Sequence, residues 1–99
     1  MRIIARKALR RFWERPEYSD SEQPLRAWFR EASRAEWNHP ADIRAAYRTA
    51  SFVGNDRVVF NIGGNKYRLI VRVNYAYGII YIRFIGTHRQ YDQIDASKV

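Results

Sequence analysis

Lys66, Arg68 and Arg72 share one parity in the run KYRLIVRVN, so an extended chain aims all three cations the same way. Fifteen residues on, Thr87-His88-Arg89-Gln90-Tyr91-Asp92 adds an imidazole, a guanidinium and a phenol. Histidine titrates near neutral pH and suits proton transfer. Arginine stabilises charge that builds up on a phosphate. Tyrosine hydrogen-bonds, stacks or acts as an acid. Such a set can cleave RNA without a metal. The 2′-hydroxyl loses its proton and attacks the adjacent phosphorus, while a second group protonates the leaving 5′-oxygen. The same residues also make an ordinary solvated face, on which Arg, Lys and a single His are common. The residues alone therefore leave a binding-only surface open as the alternative.

The cations need a sheet to present them. From Arg57 onward the apolar period is two, which predicts strands over Arg57 to Ile62, Lys66 to Asn74 and Ile79 to Gly86. Gly63-Gly64 fits a two-residue hairpin turn, and Tyr75-Ala76-Tyr77-Gly78 a second turn. The resulting register sets Asn61 opposite Lys66, Val59 opposite Arg68, Arg72 opposite Tyr81, Ile70 opposite Arg83 and Arg68 opposite Ile85. One face then collects Lys66, Arg68, Arg72, Tyr81 and Arg83. The other collects Phe60, Tyr67, Leu69, Val71, Ile80, Ile82 and Phe84. Clustered like charges repel unless an anion arrives, and Tyr81 among them offers a surface for a base.

Ahead of the strands the period is helical. Arg6 to Glu14 repeats Leu9, Phe12 and Trp13, and Pro16 ends it. Residues 2 to 5 fit either an edge strand or a lead-in to that helix. Tyr18 to Gln23 reads as a loop, with Asp20 and Ser21 as helix caps and Pro24 in the next helix's first turn. Leu25, Trp28, Phe29, Ala32 and Trp37 mark that helix's inner face. Arg26, Arg30 and Arg34 mark its outer face, either a solvated surface or a second RNA contact. His39 reads as a helix cap before Pro40. Asp42 to Tyr47 is a short third helix, with Ile43 and Tyr47 inward. Ser51 to Val53 is a brief extended piece before the turn Gly54-Asn55-Asp56, and the tail from Thr87 holds one helical turn. Helices first and an antiparallel meander after predict an α+β domain spanning 1–99, with helices on one sheet face and the other face open at least in part.

The chain has 99 residues, a net charge of +8, and fifteen arginines against three lysines. Arginine's planar fork grips phosphate and stacks on bases, so this bias points to nucleic acid, with an acidic protein as the rival partner. The absence of cysteine excludes disulfides and thiolate metal sites, and fits a cytoplasmic location. The two His are far apart and lack ligand spacing. No run approaches a membrane span or a signal segment. No metal, no cofactor and no membrane partner is expected.

The segment RVVFNIGGNKYRLIVRVNYAYGIIYIRFIGTHRQYDQID, with WNHPADIRAAYRTASFV upstream, resembles the HigB family of toxins, a branch of the RelE-like mRNA interferases. The pattern F-N-I-x-G-N-K-Y-R-L, then Y-I-R-F-I-G-T-H, then Y-D carries the likeness, which covers nearly the whole chain. The resemblance implies helices on an antiparallel sheet and an enzyme that cuts mRNA in the ribosomal A site without metal. It implies a cognate helix-turn-helix antitoxin and a toxin–antitoxin hetero-oligomer. It selects Lys66, Arg68, His88 and Tyr91 as catalytic positions, with Arg83 and Asp92 beside them. On that reading Arg68 steadies the scissile phosphate, His88 transfers the proton and Tyr91 stacks or orients. Arg72, Tyr81, Arg83 and Arg89 then contact RNA. Many relatives carry a basic residue where this chain has Gly63.

Overall fold

The computed structural model describes residues 1–99. The elements are β1 (Arg2–Ile4), α1 (Arg6–Trp13), a 3-10 helix (Pro16–Ser21), α2 (Glu22–Arg34), α3 (Pro40–Ala46), β2 (Ser51–Gly54), β3 (Arg57–Ile62), β4 (Tyr67–Asn74), β5 (Ile79–Thr87) and α4 (His88–Tyr91). The strands form one five-stranded sheet in the order β1-β5-β4-β3-β2. All neighbours pair antiparallel except β1, which runs parallel to β5. Residues 2 to 4 are thus an edge strand, and the expected three-strand meander gains a strand on each side. No helix is long and apolar enough to cross a membrane.

Leu9, Phe12 and Trp13 of α1, Leu25, Trp28 and Ala32 of α2, and Ile43 of α3 are buried against one sheet face. That face supplies Val58, Phe60, Ile62, Tyr67, Leu69, Val71, Val73 and Ile80. Each such side chain contributes on the order of 1.5–3 kcal/mol by leaving water, which lets short helices with weak intrinsic stability persist. Trp37 lies beyond the end of α2 and stacks near Phe60. Tyr47, just past α3, is only half-buried and donates its hydroxyl to Glu31 at 2.8 Å. His39 sits at the start of α3, but its side chain makes no capping bond. Asp42 instead accepts the backbone N–H of Asn38 at 2.9 Å.

Tyr18 to Gln23, expected as a loop, fall in the 3-10 helix (Pro16–Ser21) and the first turn of α2. Tyr18 fixes the 3-10 helix by stacking on Phe12, ring centroids 4.3 Å apart, with Tyr67 edge-on to both rings. Neither Asp20 nor Ser21 caps α2. The Ser21 hydroxyl donates back to the Tyr18 carbonyl at 2.6 Å, and Asp20 reaches across to the sheet.

Two corrections to the register bear on function. The β3–β4 connection has four residues, not two, because Ile62 pairs with Tyr67. Gly63 and Gly64 both take positive φ, 62° and 70°, and Lys66 is left in the loop. Asn61 therefore faces Arg68, and Val59 faces Ile70. The shift is two residues, so every β4 side chain keeps its expected face. The β4–β5 pair begins as expected, with Arg72 opposite Tyr81, but a bulge at Arg83 changes the rest. Ile70 faces Phe84 and Arg68 faces Gly86. The extra residue inverts the end of β5. Phe84, expected in the core, joins the basic face, and Ile85 packs against the core instead.

That second face is open only in part. The C-terminal segment crosses it, burying Ala96 with Val59 and Ile70, while Ile94 and Val99 pack alongside. The Asn55 amide donates to the Ser97 carbonyl at 2.9 Å. Arg57 donates twice to the Val99 oxygen, at 3.0 and 2.7 Å, and Arg83 donates to it at 3.2 Å.

Candidate nucleic-acid interface

Three of the four expected catalytic residues lie at the hairpin end of the sheet, with Lys66 turned toward Asp20 of the 3-10 helix. Tyr67 pairs with Thr87, so the Lys66 loop abuts the start of α4. The His88 N–H donates to the Lys66 carbonyl at 3.3 Å. Arg68 is two residues along β4 from Lys66 and lies opposite Gly86. Its guanidinium is held by the Asn65 and Tyr67 carbonyls, at 2.9 and 3.2 Å. Backbone acceptors fix the side chain without neutralising its charge, so it stays available to an anion.

His88 opens α4, whose start is fixed by a reciprocal cap. The Gln90 N–H donates to the Thr87 hydroxyl at 3.1 Å, and the Thr87 N–H donates to Gln90 Oε1 at 2.9 Å. His88 Nδ1 lies 3.0 Å from Asp92 Oδ2, one helical turn on. A carboxylate on one ring nitrogen fixes the ring and leaves Nε2 to face a substrate. Both side chains remain more than half exposed.

Lys66 departs most from expectation. It is ion-paired with Asp20, which also accepts the hydroxyl of Tyr67. These hydrogen bonds, the Lys66 one first, hold the Asp20 carboxyl below the usual carboxylate range. Burial, and then the same carboxylate, pushes the Tyr67 phenol up to about 12. Asp20 is the site residue that the sequence conceals. It lies 46 positions from Lys66, and its local context reads as a helix cap. Phe84 is concealed as well, since no sequence signal marks the bulge. Its ring leans over Gly86, where a Cβ would stand 2.6 Å from the ring and 2.7 Å from Gln90 Oε1.

The remaining expected residues do not converge. Tyr91 is half-buried and packs on the Val59, Ile70 and Ala96 cluster, so its ring is partly spent on the tail. Arg89 is exposed on α4, next to His88. Arg72 and Tyr81 form a pair at the other end of the face, about 13 Å along β4 from Arg68. Arg83 sits on the bulge, bound to Val99.

The chain matches the family model of the HigB toxin, described as a RelE-like toxic component of a toxin–antitoxin system, over residues 21–94. It is 30% identical to the mRNA interferase toxin HigB of Escherichia coli (strain K12), over 93% of this chain and 88% of that protein. The mRNA interferases HigB of Escherichia coli O157:H7 and Shigella flexneri match at the same identity and coverage. The family match takes in α2, α3, β2, the whole β3–β5 meander and α4, and so Lys66, Arg68, His88 and Asp92, but it begins one residue after Asp20. The chain belongs to the HigB family of RelE-like toxins.

Proposed function

We propose that the chain is an mRNA endoribonuclease that works on the translating ribosome, with its chemistry at the hairpin end of the basic face. As the toxic component of a toxin–antitoxin system it has an antitoxin as its partner. Its similarity to proteins named mRNA interferase supports mRNA as the target. One observation supports the location: Arg68 lies opposite Gly86, two residues before His88, whose N–H donates to the Lys66 carbonyl and whose ring is braced by Asp92.

In the reaction, the 2′-oxygen bonds to the adjacent phosphorus as the bond to the 5′-oxygen breaks. The 2′-proton leaves to a base, and the 5′-oxygen takes a proton from an acid. The products are a 2′,3′-cyclic phosphate and a 5′-hydroxyl. Arg68 stabilises the charge on the phosphorane oxygens, for which its backbone-held fork is preorganised. His88 Nε2 carries a proton in the step, and Asp92 steadies the ring. Lys66 adds positive charge at the rim, tuned by Asp20. Phe84 and the exposed edge of Tyr91 offer ring surface for a base. The site is shallow and cannot enforce in-line geometry alone, so A-site codon placement supplies the orientation. The sequence resemblance alone supports an antitoxin of the helix-turn-helix type.

The test is induced expression with mapping of mRNA 5′-ends, for the native chain beside Arg68→Ala and His88→Ala. The reading expects growth arrest and new 5′-hydroxyl ends within coding frames, both lost in each variant. Growth arrest that survives in His88→Ala and is lost in Arg68→Ala, with no new 5′-hydroxyl ends from the native chain, would favour a face that only binds RNA or the ribosome.

A further inference from the structure

The helical layer carries a second concentration of charge, on the opposite side of the sheet from Arg68. A cleft of about 260 Å³ between α1 and α2 is lined by Arg6, Arg26, Phe29, Arg30, Ser33 and Arg34. Of its four guanidiniums, only Arg26 has an acidic partner, Glu22 at 2.8 Å. Arg6 lies over the rings of Trp13 and Phe29, at 5.5 and 5.8 Å, and Arg26 lies over Trp13 at 4.8 Å. Stacking fixes the plane of a guanidinium and leaves its N–H edges outward, ready for oxygen acceptors. The exposed residues Lys7, Arg10 and Arg11 of α1 extend the positive surface beyond the cleft. Apart from Glu22, no carboxylate pairs with these groups, so an anion would relieve their repulsion.

We propose that the α1–α2 cleft is a second RNA site, which grips the phosphate backbone of a structured RNA while the hairpin end handles the message. Three features favour this occupant. Arg26, Arg30 and Arg34 step about 6 Å apart along the helix axis, so they meet successive groups of a chain-like anion rather than one small ion. The rings in the cleft are covered by guanidiniums, so none is free to stack an unpaired base, and the backbone is what remains to be read. Planar forks bind phosphate oxygens two at a time. The inference rests on the reading that the chain works on RNA, but not on where cleavage occurs.

The experiment is fluorescence anisotropy of the purified full chain with a labelled RNA hairpin, across a salt series. Arg30→Gln/Arg34→Gln is compared with the native chain and with Arg68→Ala. Both cleft arginines are exposed, and equal thermal midpoints check that the variant is folded. The cleft variant should lose tenfold or more in hairpin affinity at 0.1 M salt, and its log–log salt slope should fall by about two. The single variant Arg34→Gln should lower the slope by about one. Arg68→Ala should keep most of the hairpin affinity. Hairpin binding by the double variant within twofold of native, at an unchanged slope, overturns the proposal. So does unchanged hairpin binding with loss of binding to a polyglutamate probe, which assigns the cleft to an acidic protein. If the native chain makes no new mRNA ends while the cleft variants still lose the hairpin, the nuclease reading fails and the cleft stands.

Discussion

The two ends of the basic sheet face hold similar residues in different circumstances. At the hairpin end, Arg68 is braced by neutral carbonyls, and His88 by a single carboxylate. At the far end, Arg72 and Tyr81 pair across the strands with no further support, while Arg57 and Arg83 between them hold down the chain's own tail. Parity along a strand places the cations on one face. Their neighbours decide which of them are preorganised for a ligand and which are committed to structure.

The largest test of that contrast is catalytic. Arg68→Ala or His88→Ala should each lower mRNA cleavage by about 10²–10⁴-fold in a translation reaction, the range for an electrostatic stabiliser or a proton-transfer group. Next comes Gly86→Ala. The new methyl meets the Phe84 ring and the Gln90 carbonyl, so it must displace Phe84 or break the cap that seats His88. A loss of about 1–3 kcal/mol in urea unfolding is expected, with an unchanged m-value and a smaller fall in cleavage than for His88→Ala.

A third test uses pH. The Asp20 carboxyl is held low in the folded chain, chiefly by Lys66. A depressed carboxylate contributes stability above its unfolded pKa, and that contribution fades as pH falls through the folded value. The tie between the 3-10 helix and the hairpin should therefore loosen below about pH 4. Hydrogen exchange at the Tyr67 and Arg68 amides should report it, and Asp20→Asn should remove the transition. The smallest effect belongs to the far end. Arg72→Ala and Tyr81→Ala should change cleavage by less than about threefold, in keeping with the small effect of most exposed substitutions. Losses as large as that of Arg68→Ala would erase the contrast between the two ends.

How much was legible in the sequence follows from which signals are local. Apolar spacing marks α1, α2 and β3 through β5, because period and burial are tied residue by residue. Arg68 keeps its expected face because strand parity survives a two-residue register shift, whereas His88 is marked by the run after β5 and by the family resemblance. Asp20 could not be read, since its partners lie across the chain and its type and position satisfy a capping rule just as well. The cover over part of the second face escapes the sequence for a similar reason. A tail with Ile94, Ala96 and Val99 among polar residues has no period, yet those three side chains fill the space above Val59 and Ile70. The bulge was invisible because Phe84 and Ile85 are both apolar, and either one suits a core.

That last ambiguity makes the end of β5 a point of competition during folding. A chain that zips from the Tyr75–Gly78 turn without the bulge sets Phe84 inward and Ile85 outward, at nearly equal gain in buried apolar surface. The hydrophobic pattern does not separate the two pairings, so the decision passes downstream. In the observed pairing the Phe84 ring leans over Gly86, beside the Thr87–Gln90 cap. The residues that seat His88 thus also pack against the end of the strand before it, which would couple a wrongly zipped sheet to an unbuilt site.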